Sequence, residues 1–450
     1  MGDLLDLNID LNDLSLPEPT EKDRVKFPDI TVSEKGNAVI GNTSDNLSTL
    51  ITYLAYSIRY NMMTLEPEIT SINPYTDVQV KETDLDTIRS RLISAASITK
   101  LPKIAIDDHL AACAKYNHFH PVKDYLNTSK WDGKSRLKEV VSCLNAENEQ
   151  LAYSIFSKWL IGCVASLYEP KFKSKLVPIL QGGQSFKKTA FIERIAQVTE
   201  YSFLEGAELN PDQKDSVLSC IKSWIVELGE LERTSRNSQG SLKAFITKEE
   251  DTIRPPYGRS DIKKPRQTHF IATVNGDDFL KDDTGNSRYG VIKMNKSADI
   301  EKLNSLLGWR YDGGRCKHQD PQQLLQFWLE VKMLYDNGDT WMLDDIELKL
   351  TSVVNEQHRD KGSLYDYLRD NYTKKHDYQK VEWKTAGELV GDDHNLQSHQ
   401  TRLIGKALTQ LVKEYPEITV RSRGGYNQYS LFSCNSYGDS FSPLSKKDGF

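Results

Sequence analysis

A lysine and a threonine that follow a pair of glycines are the residues of this chain best suited to hold a nucleotide. Lys188 and Thr189 end a G-x-x-x-x-G-K-[ST] pattern that begins at Gly182, although Lys187 stands where the second glycine is expected. In such loops backbone N–H groups at a helix N-terminus hold phosphate oxygens, the lysine neutralises the β- and γ-phosphates, and the hydroxyl binds Mg²⁺. The residues expected to hold ATP are Gly182, Gly183, Gln184, Ser185, Phe186, Lys187, Lys188 and Thr189.

The elements that must position this loop are a buried strand before it and a helix after it. Residues 176–181 form a short, mainly apolar run, and Phe191, Ile192 and Ile195 give the segment after the loop an apolar face at helical spacing. The pattern therefore predicts a strand, a phosphate-binding loop and a helix. Taken alone, it also fits a Gly-Gly turn before a lysine-bearing surface helix.

Two further apolar runs predict parallel strands that end in polar residues. Residues 224–231 carry Glu227 and Glu230, and residues 269–274 are followed by Asn275. Because ligands of open α/β sheets bind beyond the carboxyl ends of the strands, we expect these side chains beside the phosphates. One carboxylate would join the Mg²⁺ shell and the other would polarise the attacking water, while the amide would bond the γ-phosphate or that water. An exposed acidic turn and an ordinary Asn-Gly turn are the alternative interpretations.

A basic segment between the second and third predicted strands is the candidate DNA contact. Residues 254–266 hold five basic residues and one acidic residue, with a tyrosine and a turn-forming glycine among them. Such a projecting loop suits a phosphate backbone and can stack on a base, although a solvated surface loop is the alternative. The expected DNA-binding residues are Arg254, Tyr257, Arg259, Lys263, Lys264 and Arg266.

The composition limits which classes of protein this chain can be. Lysine and arginine total 58 against 64 acidic residues, which gives a net charge of −6 and excludes binding of polyanions by bulk charge. Six cysteines without C-x-x-C pairs suit a reducing cytoplasm and form no zinc motif. The apolar runs fall short of the ~18 residues of a membrane span, and the acidic amino end is unlike a signal peptide. We therefore expect a soluble cytoplasmic protein without a membrane partner.

The pattern along the chain divides it into five segments. Residues 1–14 interleave aspartates with leucines, which predicts a disordered tail that can fold onto a partner. Helical spacing of apolar residues begins near residue 46. The expected segments are a disordered acidic tail (1–45), a helical N-terminal domain (46–140), a P-loop ATPase core (141–345), a winged-helix-like C-terminal domain (346–433) and a flexible tail (434–450).

The carboxyl-terminal segment predicts a helix followed by a hairpin. One helix face is traced by Leu403, Ile404, Ala407, Leu408, Leu411 and Val412. Residues 418–432 predict a hairpin that turns at Gly424 and Gly425. This order is typical of a winged-helix-like module, in which Arg421 and Arg423 either contact DNA or are simply exposed charges.

The order of these motifs resembles the virulence-associated protein E family, whose ATPase core is similar to superfamily 3 helicases of phages and mobile elements. The resemblance covers roughly residues 100–300 and implies an α/β P-loop NTPase of the AAA+ type with a parallel-sheet core. The implied roles are Mg²⁺ binding by Thr189 and Glu227, an acidic pair of Glu227 and Glu230, a polar sensor at Asn275 and a trans-acting arginine at Arg288. Ser185 and Lys187 stand where the family usually has glycine, so we expect strained positive φ angles and reduced nucleotide affinity or turnover.

The sequence therefore predicts an ATP-dependent DNA helicase or translocase that acts in the replication of a phage or mobile genetic element. Its expected partners are single-stranded or forked DNA, further copies of the chain in a ring such as a hexamer, and a primase or loader recruited by the acidic tail. In that ring Arg288 would reach the nucleotide of a neighbouring subunit, as arginine fingers do. The alternative is a nucleotide-regulated DNA-binding or assembly protein with little ATP turnover.

Overall fold

The structure, a computed structural model, forms two compact units. It describes residues 25–72, 79–82, 84–229, 236–254, 261–277, 279–280, 288–373 and 381–432. The larger unit holds the described residues of Met1–Leu231, Gly240–Asn275 and Arg288–Leu348, and the smaller unit holds those of Glu232–Gln239, Gly276–Ser287 and Lys349–Phe450. The tail expected at 434–450 lies outside the described residues.

Helices and strands alternate through both units. The helices are α1 (Ser44–Tyr53), α2 (Leu85–Thr99), α3 (Ile104–Lys115), α4 (Pro121–Leu126), α5 (Leu137–Ser142), α6 (Glu149–Tyr168), α7 (Lys188–Ala196), α8 (Lys214–Ile221), α9 (Arg236–Ile246), α10 (Ile300–Leu307), α11 (Pro321–Asp336), α12 (Asp345–Gln357), α13 (Ser363–Tyr372), α14 (Ala386–Asp392) and α15 (Thr401–Glu414). The strands are β1 (Ile30–Val32), β2 (Ala38–Ile40), β3 (Tyr56–Asn61), β4 (Glu66–Ile72), β5 (Gln79–Glu82), β6 (His118–Phe119), β7 (Val177–Gln181), β8 (Phe203–Ala207), β9 (Ile225–Leu228), β10 (Glu250–Ile253), β11 (Ile262–Pro265), β12 (His269–Val274), β13 (Tyr289–Lys293), β14 (Trp309–Asp312), β15 (Arg315–His318), β16 (Val381–Lys384), β17 (Val420–Arg423) and β18 (Tyr426–Phe432).

A parallel sheet of five strands forms the centre of the larger unit, in the order β13-β7-β12-β9-β8. Every residue of β7 and β9 is buried, which explains why these strands appear in the sequence as continuous apolar runs. Helix α7 follows β7 across the loop of residues 182–187. The prediction of an α/β core with a parallel sheet is therefore confirmed, and the carboxyl ends of β7, β9 and β12 meet at one edge of it.

Helix α6 is long and apolar enough to cross a membrane by length and composition. However, 78% of its most apolar stretch is buried inside the protein. The indole N–H of Trp159 on this helix donates to the carbonyl of Phe270 at 3.1 Å, and Trp224 donates to the carbonyl of Cys163 at 3.1 Å. The expectation that no apolar stretch approaches the length of a membrane span is wrong for this helix, but its burial matches a helix of a protein core.

The amino-terminal part of the larger unit contains a sheet as well as helices. Strands β5, β4, β3 and β6 pair in that order, and all pairs except β3 with β6 are antiparallel. Helices α1, α2 and α3 contribute Leu47, Leu92 and Ile106 to a common buried core. The expectation of a mainly helical domain over residues 46–140 is therefore wrong in one respect, because it misses these strands.

Part of the segment expected to be a disordered tail is folded. Strands β1 and β2 pair as a hairpin within residues 30–40. The fully buried Asn46 accepts a hydrogen bond from the backbone N–H of Asp29 at 3.0 Å and donates to the carbonyls of Asp29 and Gly41, both at 2.9 Å. The tail expected over residues 1–45 is thus too long, since these contacts hold its second half in place. Residues 1–24 lie outside the described part of the chain.

The smaller unit combines helices α13, α14 and α15 with an antiparallel sheet in the order β16-β18-β17. Gly424 and Gly425 form the turn between β17 and β18, where left-handed φ angles of +62° and +82° favour glycine. On α15, Ile404 and Leu408 are fully buried, whereas Leu403 is 54% exposed. The predicted hairpin is confirmed, and the predicted helix face is correct except at Leu403.

Candidate functional site

The loop between β7 and α7 closes around the ammonium group of Lys188. The Nζ atom donates to the carbonyl oxygens of Gly182 at 2.8 Å and Gly183 at 3.0 Å, and to Oδ1 of Asn275 at 2.8 Å. These three contacts match the three protons of an ammonium group. The structure thus brings Asn275, at the end of β12, to the loop lysine, as the sequence predicts.

Two residues of this loop adopt the left-handed conformation that usually requires glycine. Ser185 has a φ of +67° and Lys187 a φ of +58°. This conformation costs roughly 1–2 kcal/mol for a residue with a side chain. The backbone is therefore strained at Ser185 and Lys187, the two positions where glycine is usual. The following helix and a neighbouring segment hold the loop, because Phe191 donates to the carbonyl of Lys187 at 3.0 Å and Ala298 to that of Phe186 at 2.9 Å.

The aromatic ring of Phe186 lies against the two glycines at the start of the loop. A Cβ atom at Gly182 would lie 2.7 Å from the ring, and one at Gly183 would lie 3.0 Å from it. Both distances are shorter than ordinary carbon contacts, so these positions require glycine for space. The first glycine of the motif therefore serves packing inside the loop.

A buried carboxylate faces the loop from the neighbouring part of the sheet. Oε1 of Glu227, a residue only 1% exposed, accepts hydrogen bonds from the hydroxyls of Thr189 at 2.7 Å and Thr273 at 2.8 Å. Its other oxygen, Oε2, is buried and has no hydrogen-bond partner among the described residues. Burial raises the pKa of Glu227, and the two hydroxyl hydrogen bonds oppose that rise.

The donor set around Glu227 fits a magnesium ion. Carboxylate and hydroxyl oxygens are ligands that Mg²⁺ prefers, and the unpartnered Oε2 is a buried acceptor that a hydrated cation would satisfy. Among the described residues no group of three or more histidine, cysteine or acidic side chains could hold a metal. A cation here would therefore depend on Thr189, Glu227, water and phosphate oxygens, which is the usual situation for Mg²⁺ in nucleotide sites.

Thr273 is the site residue that the sequence analysis missed. It lies on β12, and its neighbour two positions earlier, Ile271, pairs directly with Glu227 on β9. Since side chains alternate along a strand, Thr273 lies on the same face as Ile271 and close to the carboxylate. The signal was a lone hydroxyl near the end of an apolar strand, which becomes informative only once the strand pairing is known.

The structure describes one of the two remaining predicted catalytic residues. Glu230 lies outside the described residues. Arg288 directly precedes β13, whose first residue, Tyr289, pairs with Val177, the first residue of β7. Arg288 is therefore at the amino edge of the sheet, about 16 Å or one strand length from the phosphate loop.

The predicted DNA-binding segment is a hairpin whose tip falls outside the described residues. Strands β10 and β11 pair in antiparallel register. Tyr257 and Arg259 lie in the segment between them that is not described, and Arg254 is exposed at its base. Lys263 is exposed and forms an ion pair with Glu250 at 2.8 Å. The cations at Arg254 and Lys263 are therefore accessible to a DNA strand.

Lys264 and Arg266 are buried, so their assignment as DNA-binding residues is wrong. The Nζ atom of Lys264 donates to the carbonyls of Met63 at 2.7 Å and Ile221 at 2.5 Å, and burial lowers the pKa of this lysine to about 7. Arg266 forms two hydrogen bonds with the carboxylate of Asp251, at 2.8 and 2.6 Å, and both side chains are only 4% exposed. Neither cation can reach a phosphate backbone without disrupting the fold.

Removal of Arg266 is expected to lower stability. Arg266→Ala leaves the buried carboxylate of Asp251 without its partner, which costs about 3–5 kcal/mol in the free energy of unfolding. Lys263→Ala is the matched control, because its ion pair is exposed and its loss costs about 1 kcal/mol or less. Equilibrium unfolding in urea measures both values. Equal stability of the two variants would contradict the buried placement of Arg266.

Comparison with known proteins adds a family match and distant structural neighbours. The pattern of the virulence-associated protein E-like domain matches residues 126–360, which is more than half of the chain. The apo structure of the NrS-1 C-terminal region aligns with 86% of this chain and 98% of its own length, at 12% identity and a TM-score of 0.43. Its A form aligns with 86% and 99%, at 14% identity and a TM-score of 0.42. No curated protein matches the chain.

Proposed function

Because the chain belongs to the virulence-associated protein E-like family, we propose that it is a P-loop ATPase of the AAA+ type. We propose further that it works as a DNA helicase or translocase in the replication of a phage or mobile genetic element. One observation carries this proposal: Lys188, Thr189, Glu227 and Asn275 come together at the carboxyl edge of the sheet, joined by hydrogen bonds of 2.7 to 2.8 Å. An ammonium, a hydroxyl, a carboxylate and an amide are the groups that phosphoryl transfer requires.

Each side chain has a distinct task in this proposal. Lys188 would exchange its contacts with the loop carbonyls for phosphate oxygens, and the helix N-terminus of α7 would add backbone N–H donors. Thr189 and Glu227 would hold Mg²⁺, which supplies neutralising charge to the phosphates when it is bound. Asn275 would orient the γ-phosphate or the attacking water, and Glu230 would polarise that water.

The position of Arg288 supports a ring of subunits. This arginine is about one strand length from the phosphate loop of its own chain, which favours a role in stabilising charge on a nucleotide held by another copy. A closed ring, such as a hexamer, gives every subunit a neighbour on that side. The proposed catalytic site therefore lies at the interface between two copies of the chain.

Two surfaces support the proposed action on single-stranded or forked DNA. The hairpin of β10 and β11 presents Arg254 and Lys263, and the sequence between these strands adds Tyr257 and Arg259, which lie outside the described residues. In the smaller unit the order helix, strand, two helices and hairpin supports a winged-helix-like module. There Arg421 and Arg423 are both exposed, but the guanidinium of Arg421 lies 4.0 Å from the ring centre of Trp383, which reduces its freedom to follow a DNA backbone.

Substitution of Lys188 tests the proposed ATPase and helicase activities. Lys188→Ala removes the cation that faces the phosphates, so DNA-stimulated ATP hydrolysis and strand displacement should fall by about 10²-fold or more. Lys130→Ala, which removes an exposed lysine elsewhere, is the matched control and should retain both activities. Equal activity of the native and Lys188→Ala proteins would exclude the proposed nucleotide site.

The strained loop favours a second candidate function. Ser185 and Lys187 occupy left-handed positions that glycine fills with less strain, so the loop is less free to rearrange during a catalytic cycle. A protein with such a loop can use ATP as a switch for DNA binding or assembly, with little turnover, and recruit a primase or loader through its acidic amino-terminal residues. Tight binding of nucleotide and DNA without hydrolysis in the same assays would favour this function.

A further inference from the structure

Helix α15 of the smaller unit presents an exposed basic face. Arg402, Lys406 and Lys413 are exposed and follow one another at intervals of four and seven residues, so they share one side of the helix. The opposite side packs into the core through Ile404 and Leu408. The burial of one side therefore fixes the direction in which the three cations point.

This face lines a groove within the smaller unit. The groove has a volume of about 820 Å³ and runs along α15, past the start of α13 and the residue Asn427 of β18. Its described lining residues include five cations and no carboxylate; the cations are Arg359, Lys361, Arg402, Lys406 and Lys413. The local charge is thus opposite in sign to the net charge of −6 of the whole chain.

Three of the five cations have no ion pair among the described residues. Arg359 pairs with Glu356 at 3.1 Å, and Lys361 pairs with Glu414 at 2.7 Å, so their charges are compensated. The uncompensated charges are those of Arg402, Lys406 and Lys413 on α15 itself. The first and last of them are 11 residues apart, or about 16 Å along the helix, which is long enough to contact several phosphates of one nucleic-acid strand.

The other lining residues favour a duplex over a single strand. Single strands are held by stacking on exposed aromatic rings, but the two aromatic residues that line the groove, Tyr365 and Tyr429, are each 3% exposed. Their hydroxyls are hydrogen-bonded to Glu414 and Thr409. Rings held in this way cannot stack on bases.

The polar side chains of the groove suit the edges of base pairs. Asn427 is exposed and offers an amide donor and acceptor, and the exposed Leu403 offers an apolar contact beside the cations. Gln400 and Gln410 keep only part of their amide groups for a ligand, because Gln400 Oε1 accepts from the backbone N–H of Gln397 and Gln410 Nε2 donates to Glu356 and Glu414. An α-helix with its side chains is about 10–12 Å wide and fits the major groove of B-form DNA, which is about 12 Å wide. We propose that α15 binds duplex DNA in the major groove, with Arg402, Lys406 and Lys413 on the phosphates, whether or not nucleotide is bound.

The site extends the proposed function, because it needs neither the phosphate loop nor ATP hydrolysis. It would let a motor that pulls a single strand remain attached to the double-stranded region beside it. Its failure and the failure of the motor are distinguishable, since Lys188→Ala should abolish turnover and leave duplex binding unchanged.

Fluorescence anisotropy of the full chain with a short duplex, without nucleotide, tests the proposal. The triple substitution Arg402→Ala, Lys406→Ala and Lys413→Ala should weaken binding by about tenfold or more. It should also lower the slope of log K against log salt by about 2.7, since each phosphate contact contributes about 0.9. The matched control, Lys130→Ala, Lys214→Ala and Lys349→Ala, removes the same charge from exposed lysines outside the groove and should change neither quantity.

Three outcomes would overturn the proposal. The first is unchanged affinity and salt slope in the triple variant of α15. The second is an equal loss in the control variant, which would mean that overall charge alone governs binding. The third is that the groove binds an acidic peptide instead of DNA. In that case a peptide of residues 1–20 would bind the native chain but not the α15 variant, and the duplex would bind both proteins equally. Thermal unfolding of each variant should match that of the native chain, because all substituted side chains are exposed.

Discussion

Glu227→Gln is expected to lower steady-state ATP hydrolysis by about 10²–10³-fold while nucleotide binding persists. Glutamine keeps the volume of the side chain, and its carbonyl oxygen can still accept the hydrogen bonds from Thr189 and Thr273. It lacks the negative charge that a metal ligand supplies, and its amide group replaces the unpartnered Oε2 atom. The loss should therefore appear in the turnover rate, with nucleotide binding measured separately by fluorescence.

The raised pKa of Glu227 predicts how ATP turnover and the stability of the fold depend on pH. Burial raises this pKa, so the carboxyl takes up a proton at a higher pH than an ordinary glutamate does. Turnover of the native chain should fall as the pH is lowered through this raised value, because the protonated form cannot hold Mg²⁺. The same shift means that ionised Glu227 destabilises the metal-free fold above the pKa of the unfolded chain, so Glu227→Gln should be at least as stable as the native protein at neutral pH.

Glu205→Gln is the matched control for this prediction. Glu205 lies on β8, beside β9, and acts on Glu227 only through its charge, so the same chemical change there should leave turnover within about threefold of the native value. Full turnover in Glu227→Gln, with normal Mg²⁺ dependence, would remove this carboxylate from the proposed mechanism.

Arg288→Ala should lower ATP turnover by about 10³–10⁵-fold, the range known for arginines that act on a transferred phosphoryl group. The physical reason is the position of Arg288 at the amino edge of the sheet, from which we propose that it acts on the nucleotide of a neighbouring copy. ATP hydrolysis is measured with DNA present, and Arg288→Lys should give an intermediate rate, because it keeps the charge without the planar fork.

Mixing two inactive proteins distinguishes action between subunits from action within one. A mixture of Arg288→Ala and Lys188→Ala chains contains boundaries at which an intact lysine loop faces an intact arginine, so part of the activity should return. Each protein alone should stay inactive at the same total concentration. No recovery in mixtures shown to form joint oligomers would contradict the assignment of Arg288.

The loop before α7 and the strands beside it were predictable because each leaves a signal among neighbouring residues. The apolar run before Gly182 and the helical spacing after Lys188 predicted β7 and α7, which the structure contains. Glu227 stood out as an acid inside an apolar run, and Asn275 as an amide directly after one. Such local patterns suffice for buried parallel strands, since both faces of these strands are covered.

Residues whose partners lie far along the chain could not be predicted in this way. Lys264 and Arg266 look like part of a solvent-exposed basic loop, yet Arg266 pairs with Asp251, 15 residues earlier, and Lys264 lies opposite Asp251 in the hairpin register. The register decides which cation is buried, and composition carries no information about it. Strand β4 has a different, local cause of difficulty, because Pro67 near its start weakens the sequence signal for a strand.

The two hydrogen bonds donated by the buried side chain of Lys264 limit where the chain can be truncated without loss of internal contacts. They join a turn after β3 and the end of α8 to the hairpin of β10 and β11, and both acceptors are backbone carbonyls. Substitution of Met63 or Ile221 leaves those carbonyls in place, although each side chain is itself only 1% exposed. Removal of the amino-terminal segment does not, because it takes one acceptor away from a cation that stays inside. The amino-terminal sheet is therefore not an independent module, and a fragment that begins at the parallel-sheet core would leave Lys264 without one of its two hydrogen-bond acceptors.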